Sequence, residues 1–274
     1  MAAFGDNIRV HNMASYRICT LFSGSKGNCT YIETPGAKIL IDMGKNCKAV
    51  CAALSQIGVD PASLDAVFIT HEHRDHIDAL PVFCKRYPLP IHVQAASAER
   101  LICAAPHLES IIHSYPDAKT CCVRIGDVQV QAFRTPHDSR ASVGYRLTLD
   151  GEPGTVIAYA TDIGYVTPEI LQNLLGCEAV VLESNHDPDM LMDGPYPYDL
   201  KLRIRGKKGH LSNEDCAAVA AQLYASGTKH ILLAHLSEQN NTPRLAFHES
   251  FCAIGDKDFN LRVADPVHVS WLLP

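Results

Sequence analysis

The sequence contains no apolar run long enough to cross a membrane. Its uninterrupted apolar segments, such as residues 66–69, are as short as a β-strand, whereas a membrane helix needs about twenty apolar residues. The first residues are polar and lack the apolar centre of a signal peptide. We therefore expect a cytoplasmic protein without a membrane partner.

An excess of positive charge is also missing. Lys and Arg number 24 against 30 Asp and Glu, so the formal net charge is −6. No global basic field draws in a polyanion, and a nucleic acid substrate would have to be attracted by a local patch and by bound cations. The 11 cysteines include no CxxC pair, which predicts reduced thiols rather than disulfides or a zinc finger.

Repeats, low-complexity tracts and linkers are absent from the sequence. Hydrophobic residues make up 47% of the chain and charged residues 20%, which is a globular composition. We predict a flexible N-terminal extension over residues 1–15 and one domain over residues 16–274.

Short β-rich runs alternate with segments of helical period. In the N-terminal half, the patterns predict strands over 17–22, 30–33, 38–41 and 66–70 and helices over 46–56, 77–86 and 97–103. The stretch 120–159 predicts antiparallel strands with turns at 126–127 and 150–151. In the C-terminal half, we predict helices over 168–175, 197–203 and 213–224 and strands over 179–182 and 231–234. This alternation favours a layered α/β or αββα architecture.

One segment concentrates side chains that bind metals. Residues 70–76 read Thr-His-Glu-His-Arg-Asp-His and follow an apolar strand. On extended backbone His71 and His73 project to the same side, and a turn into the next helix brings Asp75 and His76 to a second metal. Imidazole and carboxylate suit Zn²⁺ or Mn²⁺, and two such ions can share one bridging hydroxide. A solvated His-rich loop is the alternative, which this density of ligands argues against.

Four side chains do not complete two metal sites, so further ligands must come from elsewhere. His137, Asp162 and His235 each follow an apolar run, where loops at strand ends commonly carry functional groups. A lone His or Asp at such a place is more often a cap or a surface residue. The complete set favours metal binding.

The segment His-Glu-His-Arg-Asp-His, with the later His, Asp and His, resembles the metallo-β-lactamase superfamily. The resemblance implies a single-domain α/β fold, the four-layer αββα metallo-β-lactamase sandwich. It also implies two divalent metal ions, Zn²⁺ or Mn²⁺ with Fe as an alternative. The implied ligands are His71, His73 and His137 for one ion, Asp75, His76 and His235 for the other, and Asp162 as the bridge.

A second constellation concerns the leaving group. Glu183 follows a predicted strand, and His210 precedes a predicted helix. The pair resembles the Glu and His of ribonuclease Z-type phosphodiesterases, which implies that Glu183 orients His210 and that His210 protonates or stabilises the departing oxygen. Without the metal cluster, a helix cap and a surface turn would be the simpler interpretation.

Positive charge is concentrated in the run of residues 201–208, which begins at Lys201 and ends just before His210. Such runs are usually solvated faces, but this one leads into the proposed leaving-group histidine, so we predict contacts with the phosphate backbone. The residues of the run predicted to bind substrate are Arg203, Arg205, Lys207 and Lys208. Neighbouring motifs add His186, which could instead be structural, Ser212, which also fits a helix N-cap, and Asn213.

Several motifs together resemble the bacterial YycJ/WalJ family. They are the segments 23–31, 40–44, 183–187, 209–215 and 233–237. The resemblance implies a 5′ to 3′ exonuclease acting on DNA, and the short intervals between the metal motifs leave no room for the insertions that serve structured RNA. Within these motifs we interpret residues 23–28 as a hairpin turn, and Asp42 either supports a metal-ligating histidine or starts a turn.

The chemistry expected from this set is phosphodiester hydrolysis by a metal-bridging hydroxide. Asp75 would both ligate a metal and orient the hydroxide. Two alternatives stay open: a hydrolase of small cyclic phosphodiesters or thioesters on the same metal centre, and a non-catalytic regulatory protein whose metal site is structural. The sequence carries no signal for an oligomeric state.

Overall fold

The computed structural model describes residues 16–150 and 155–274, and the predicted extension over 1–15 lies outside the described residues. Two seven-stranded sheets form the centre of this part of the chain. The strands of the first sheet are β1 (Arg17–Phe22), β2 (Cys29–Glu33), β3 (Lys38–Ile41), β4 (Ala66–Phe68), β5 (Ile91–Gln94), β6 (Ile112–Tyr115) and β14 (Ser270–Leu273). The strands of the second sheet are β7 (Cys122–Ile125), β8 (Val128–Arg134), β9 (Val143–Leu149), β10 (Val156–Ala160), β11 (Ala179–Glu183), β12 (His230–Ala234) and β13 (Asn260–Val263).

The two sheets have related strand orders. The first runs β14-β1-β2-β3-β4-β5-β6 and the second β13-β12-β11-β10-β9-β8-β7. Strands β3 to β6 and β10 to β13 are parallel. Strands β7 to β10 pair antiparallel, which confirms the arrangement predicted for this stretch. Because parallel strands end at the same edge of a sheet, the loops after β10 and β12 lie at one edge, on either side of the loop after β11.

Helices cover both outer faces. They are α1 (Cys47–Gln56), α2 (Arg74–Ile77), α3 (Leu80–Arg86), α4 (Ala95–Ala104), α5 (Pro168–Leu174), α6 (Pro188–Asp193), α7 (Tyr198–Arg205), α8 (Asn213–Ala225) and α9 (Pro243–Ile254). Leu40 packs with α1, α3 and α4, and Val180 packs with α5, α8 and α9. Ile39 and Ile157 point the other way, into the core between the sheets, because successive strand residues face opposite sides. These three cores separate four layers, which confirms the αββα sandwich.

Some predicted boundaries change in the structure. Two helices, α2 and α3, take the place of the helix predicted over 77–86. Pro81 lies in the first turn of α3, where a backbone N–H has no partner within the helix, so the missing N–H of proline costs no hydrogen bond. The strand predicted over 66–70 ends at Phe68. Strands β5, β6, β13 and β14 and helices α6 and α9 were not predicted. No described helix is both long and apolar enough to cross a membrane.

Candidate metal centre

The seven predicted metal ligands leave both sheets at one end. His71 and His73 follow β4 of the first sheet, and α2 carries the next two candidates. In the second sheet, His137, Asp162 and His235 follow β8, β10 and β12. The candidate site is therefore formed between the two sheets, by residues far apart in sequence.

The ligating atoms form groups in which all atoms lie within 4.8 Å of one another. One group consists of His71, His73 and His137, and another consists of Asp75, His76 and His235. Asp162 joins a third group with one residue from each of the first two, His71 and His76. The structure thus brings all seven predicted ligands together.

The carboxylate of Asp162 lies between the two groups. Its Oδ2 is 3.5 Å from Nε2 of His76, and its Oδ1 is 3.6 Å from Nε2 of His137 and 3.7 Å from Nε2 of His235. Ligand atoms on a tetrahedral ion at about 2.0–2.2 Å stand about 3.3–3.6 Å apart. The separations around Asp162 therefore suit ions placed on either side of it.

Hydrogen bonds fix which nitrogen of each ring is available to a metal. The Nδ1 atoms of three histidines contact oxygens: His76 with Asp42 at 2.7 Å, His235 with Glu183 at 3.0 Å and His137 with the carbonyl of Gly209 at 3.1 Å. A ring that donates its Nδ1–H keeps the Nε2 lone pair free, and such partners orient metal-ligating histidines in general. The Nε2 atoms of all three rings lie 3.5–3.7 Å from the carboxylate of Asp162.

The ligand atoms fit a bound cation on two further grounds. Nε2 of His71, Nε2 of His235 and Oδ2 of Asp162 are buried and have no hydrogen-bond partner among the described residues. Buried polar atoms are almost always satisfied, so three orphaned atoms at one place call for a ligand. Burial lowers the pKa of His71 well below 6.5 and also lowers the pKa of His137, which leaves the neutral form that binds metal.

Carboxylates act strongly on two of the candidate ligand histidines. Burial opposes ionisation of His235, but the nearby carboxylates, first Asp162, outweigh it and raise its pKa to about 10. The same balance raises the pKa of His76 well above its usual value, with Asp42 the strongest of the opposing carboxylates. The negative charge of these carboxylates favours protonation of both rings. A divalent cation would neutralise the same negative charge and release those protons.

Asp42→Asn is expected to weaken metal binding by about 10- to 100-fold. The fully buried Asp42 accepts the backbone N–H of Thr70 at 2.8 Å and supports His76 through its Nδ1. Its φ of 61° is left-handed, a conformation that Asn tolerates, so the substitution removes charge without adding strain. Competition with a chromophoric zinc chelator measures the affinity. Asp78→Asn, a surface position paired with Arg74, is the matched control, and equal affinity in both variants contradicts this role.

Glu183 contacts both a candidate metal ligand and the predicted leaving-group histidine, His210. Its Oε1 lies 2.8 Å from Nδ1 of His210 and 3.0 Å from Nδ1 of His235, and its Oε2 accepts the backbone N–H groups of Ile163 and Leu211 at 2.7 and 3.1 Å. Burial alone would raise the pKa of Glu183, but the charge of His210 and the hydrogen bonds from both histidines lower it to about 2. One ionised carboxylate therefore orients a candidate ligand and the candidate acid.

A cavity of about 270 Å³ opens onto these groups. The metal-binding candidates that line it, together with His210, are His73, Asp75, His137, Asp162 and His235. Ser25 from the β1–β2 turn lines it as well. The remaining side chains come from α7 and the residues before it, namely Tyr196, Leu200, Arg203 and Ile204, and from Asp138. The cavity thus combines a charged part with an apolar part.

The predicted basic contacts are only partly at the cavity. Arg203 lines it, and its guanidinium pairs with Asp138, with Nε to Oδ2 at 2.6 Å. Arg205, Lys207 and Lys208 are exposed but do not line the cavity. Lys201 is buried and donates to the carbonyl of Met192 at 2.5 Å, so it does not belong to the exposed basic run.

The other predicted substrate contacts lie in the framework beside His210. His186 is buried and forms a β-bridge with Ser212, and Ser212 caps α8 through the N–H of Asp215. Asn213 is fully buried and accepts the hydroxyl of Ser184 at 2.7 Å. The structure brings none of His186, Ser212 and Asn213 into the cavity.

Two buried residues that the sequence did not indicate support the candidate ligands, Asn28 by direct contact and Glu72 by holding the ligand loops. Nδ2 of Asn28, at the end of the β1–β2 turn, lies 3.2 Å from Oδ2 of Asp75 and 3.1 Å from Nε2 of His76. Glu72 accepts the hydroxyl of Ser97 at 2.6 Å and the N–H of Arg140 at 2.9 Å, so it ties the first ligand loop to the loop after His137. Asn28 ends a Gly-rich turn, which is the one sequence signal that could have indicated it.

The family model of the β-lactamase superfamily domain matches residues 38–236. The chain is 36% identical to the exodeoxyribonuclease YycJ of Bacillus anthracis over 251 residues, which cover 90% of this chain and 92% of that protein. It is 34% identical to the exodeoxyribonuclease WalJ of Streptococcus pneumoniae over 236 residues, which cover 84% and 85%.

Solved structures agree on the fold. The metallo-β-lactamase fold protein YhfI from Bacillus subtilis superposes with a TM-score of 0.67 at 18% identity, over 93% of this chain and 99% of that chain. Human tRNase Z, short form, gives 0.63 at 16% identity, over 94% and 99%. The chain therefore belongs to the β-lactamase superfamily and, within it, to the family of metal-dependent hydrolases that includes YycJ and WalJ.

Proposed function

We propose that this chain is a binuclear metal-dependent phosphodiesterase that removes nucleotides from a DNA end in the 5′ to 3′ direction. The observation that carries the proposal is the place of Asp162, whose carboxylate is 3.5–3.7 Å from ligand atoms of both groups. It lines a cavity that His210 also lines. The relatives named exodeoxyribonucleases support DNA as the substrate.

The seven clustered residues would hold two divalent cations, Zn²⁺ or Mn²⁺. Such a pair, when bound, supplies a hydroxide nucleophile near neutral pH and neutralises charge on the phosphate oxygens. Asp75 is ionised, because the neighbouring histidines hold its pKa well below 3.8 despite burial. Its Oδ2 accepts the amide of Asn28, which fixes the carboxylate at the cavity, where it orients the attacking water.

His210 is placed to act on the leaving oxygen. Its Nδ1 is held by Glu183 at 2.8 Å, which leaves Nε2 as the ring nitrogen available to the cavity. A proton on Nε2 can be donated to the departing sugar oxygen as the ester bond breaks. Arg203, held at the cavity by Asp138, provides a planar guanidinium for a non-bridging phosphate oxygen.

His210→Ala is expected to lower kcat on DNA by about 10²- to 10⁴-fold, because the leaving sugar oxygen loses its proton donor. A phosphodiester with a nitrophenolate leaving group needs no such donor, so the same variant should hydrolyse it at close to the wild-type rate. Steady-state kinetics on both substrates measures the difference. An equal loss on both substrates would show that His210 supports the site rather than the leaving group.

The proposed function is tested with metal-reconstituted protein on end-labelled single- and double-stranded DNA and RNA, with Zn²⁺ and Mn²⁺ compared. Release of the 5′ label as mononucleotide in the first turnovers, with the 3′ label kept on long products, supports 5′ to 3′ digestion of DNA. Hydrolysis of a small phosphodiester without digestion of any oligonucleotide contradicts the proposal. Metal content by mass spectrometry should approach two ions per chain.

A further inference from the structure

The segment from Tyr196 to Ile204 gives the cavity an apolar part that phosphate chemistry does not require. Leu200 and Ile204 are four residues apart, so they lie on the same face of α7, and both line the cavity with Tyr196. All three are half-buried rather than fully buried. A site for a phosphate alone would need only the charged part, so the apolar part indicates a ligand with a large nonpolar surface.

The enclosed part of the cavity is about the size of one nucleotide. Its volume is about 270 Å³, and one side is open to solvent, so the rest of a strand would lie outside it. A nucleotide with its phosphate at the candidate metal ligands and its base against Tyr196 has left the stack of its own strand and its pairing partner, as enzymes that act inside a pocket on one nucleotide require.

We propose that Tyr196, with Leu200 and Ile204, seats the base of a single unpaired nucleotide at the strand end, while Arg203 contacts its phosphate. This inference rests on the proposed function and adds the form of substrate: strand ends that are single-stranded or frayed. Aromatic side chains stack on any base, so the seat carries little sequence preference. The flat ring of Tyr196 and the two branched side chains of α7 supply the surfaces for this stacking.

The surface beside the seat matches the charge of a nucleic acid strand. Lys207 and Lys208 are exposed in a chain of net charge −6, and the Lys207 ammonium lies 5.9 Å from the centre of the Tyr165 ring. Tyr165 is held there because the neighbouring Gly164 packs on the backbone at Lys207, where a Cβ atom would stand 2.3 Å from the carbonyl oxygen. A strand leaving the cavity along this side meets cations and one more aromatic ring.

A thermodynamic cycle on the holoenzyme tests the seat. Wild type and Tyr196→Ala are compared on a single-stranded oligonucleotide with a normal end and on one whose terminal nucleotide is abasic, for each end in turn. We expect either change alone to lower kcat/KM by about tenfold at the end that is attacked, and both together to lower it no further, because they remove the same contact. Additive losses, or no loss in Tyr196→Ala, overturn the inference.

Further measurements distinguish a failure of this inference from a failure of the proposed function. Tyr198→Ala changes a tyrosine that is 64% exposed and does not line the cavity, and it should leave kcat/KM unchanged, whereas Tyr196→Phe keeps the ring and should retain stacking. Wild type should also degrade a duplex with mismatched ends at least about tenfold faster than one with G·C-paired blunt ends, and equal rates would overturn the inference. If wild type digests no DNA, the proposed function fails instead.

Discussion

Asp162→Asn is expected to lower kcat on DNA by about three to four orders of magnitude. The carboxylate of Asp162 lies within 3.7 Å of ligand atoms in both metal-binding groups. The loss of several kcal/mol of charge stabilisation at a shared ligand corresponds to a loss of that size in rate. Metal analysis should show fewer than two bound ions per chain.

The choice of asparagine follows from the backbone. Asp162 has φ of 58°, and an alanine there would combine loss of the carboxylate with left-handed strain, whereas asparagine accepts this conformation. The exposed Asp258→Asn serves as the control for a loss of one carboxylate elsewhere. Full activity with two metals in Asp162→Asn would remove the central ligand from the proposed centre.

Glu183→Gln is expected to lower kcat by about 10³- to 10⁴-fold. This loss is larger than that expected for a residue that only orients one metal-binding histidine. Four donors converge on the carboxylate: Nδ1 of His210, Nδ1 of His235 and the backbone N–H groups of Ile163 and Leu211. A glutamine offers one oxygen to these donors and turns its own NH₂ group toward the others. Both the ligand and the acid are then misplaced.

The measurement for Glu183→Gln combines kcat with zinc affinity, which should fall by about 10- to 100-fold. Glu178→Gln is the matched control, since Glu178 immediately precedes β11, at the end opposite to Glu183, and pairs with Lys229 at 3.1 Å. If Glu183→Gln reduces kcat while zinc affinity stays at the wild-type value, Glu183 acts on His210 alone. If neither changes, its role in the centre is refuted.

Many of the strands and helices, and the candidate metal ligands, followed from local signals in the sequence. His71, His73 and their neighbours stand in one short run, and His137, Asp162 and His235 each follow a predicted strand. The three strands, β8, β10 and β12, run in the same direction, so their ends lie at one edge of the sheet. Metal ligation demands particular residue types, so each candidate could be found in a single sequence. The alternation of strands with helices favoured a layered α/β or αββα architecture, and the resemblance to the metallo-β-lactamase superfamily implied the four-layer sandwich.

The supporting contacts could not be predicted, because they depend on residues distant in sequence. Glu72 meets Ser97 and Arg140, which are 25 and 68 positions away, and no periodicity marks such a partner. The basic run also looked uniform, yet helical geometry buries Lys201 and turns Arg203 toward the cavity. Ser212 and Asn213 carried the family motif, but their side chains cap α8 and fill a buried hydrogen-bond network.

The candidate metal ligands come from both sheets, and this has a consequence for the lifetime of the protein. The loop after β4 belongs to one half of the sandwich, whereas the loops after β8, β10 and β12 belong to the other. Any cation bound between them would link the two halves, and its binding free energy would add to the free energy of unfolding. A shortage of metal would therefore lower the free energy of unfolding and expose the chain to proteases more often. The amount of enzyme in a cell would then follow the metal supply.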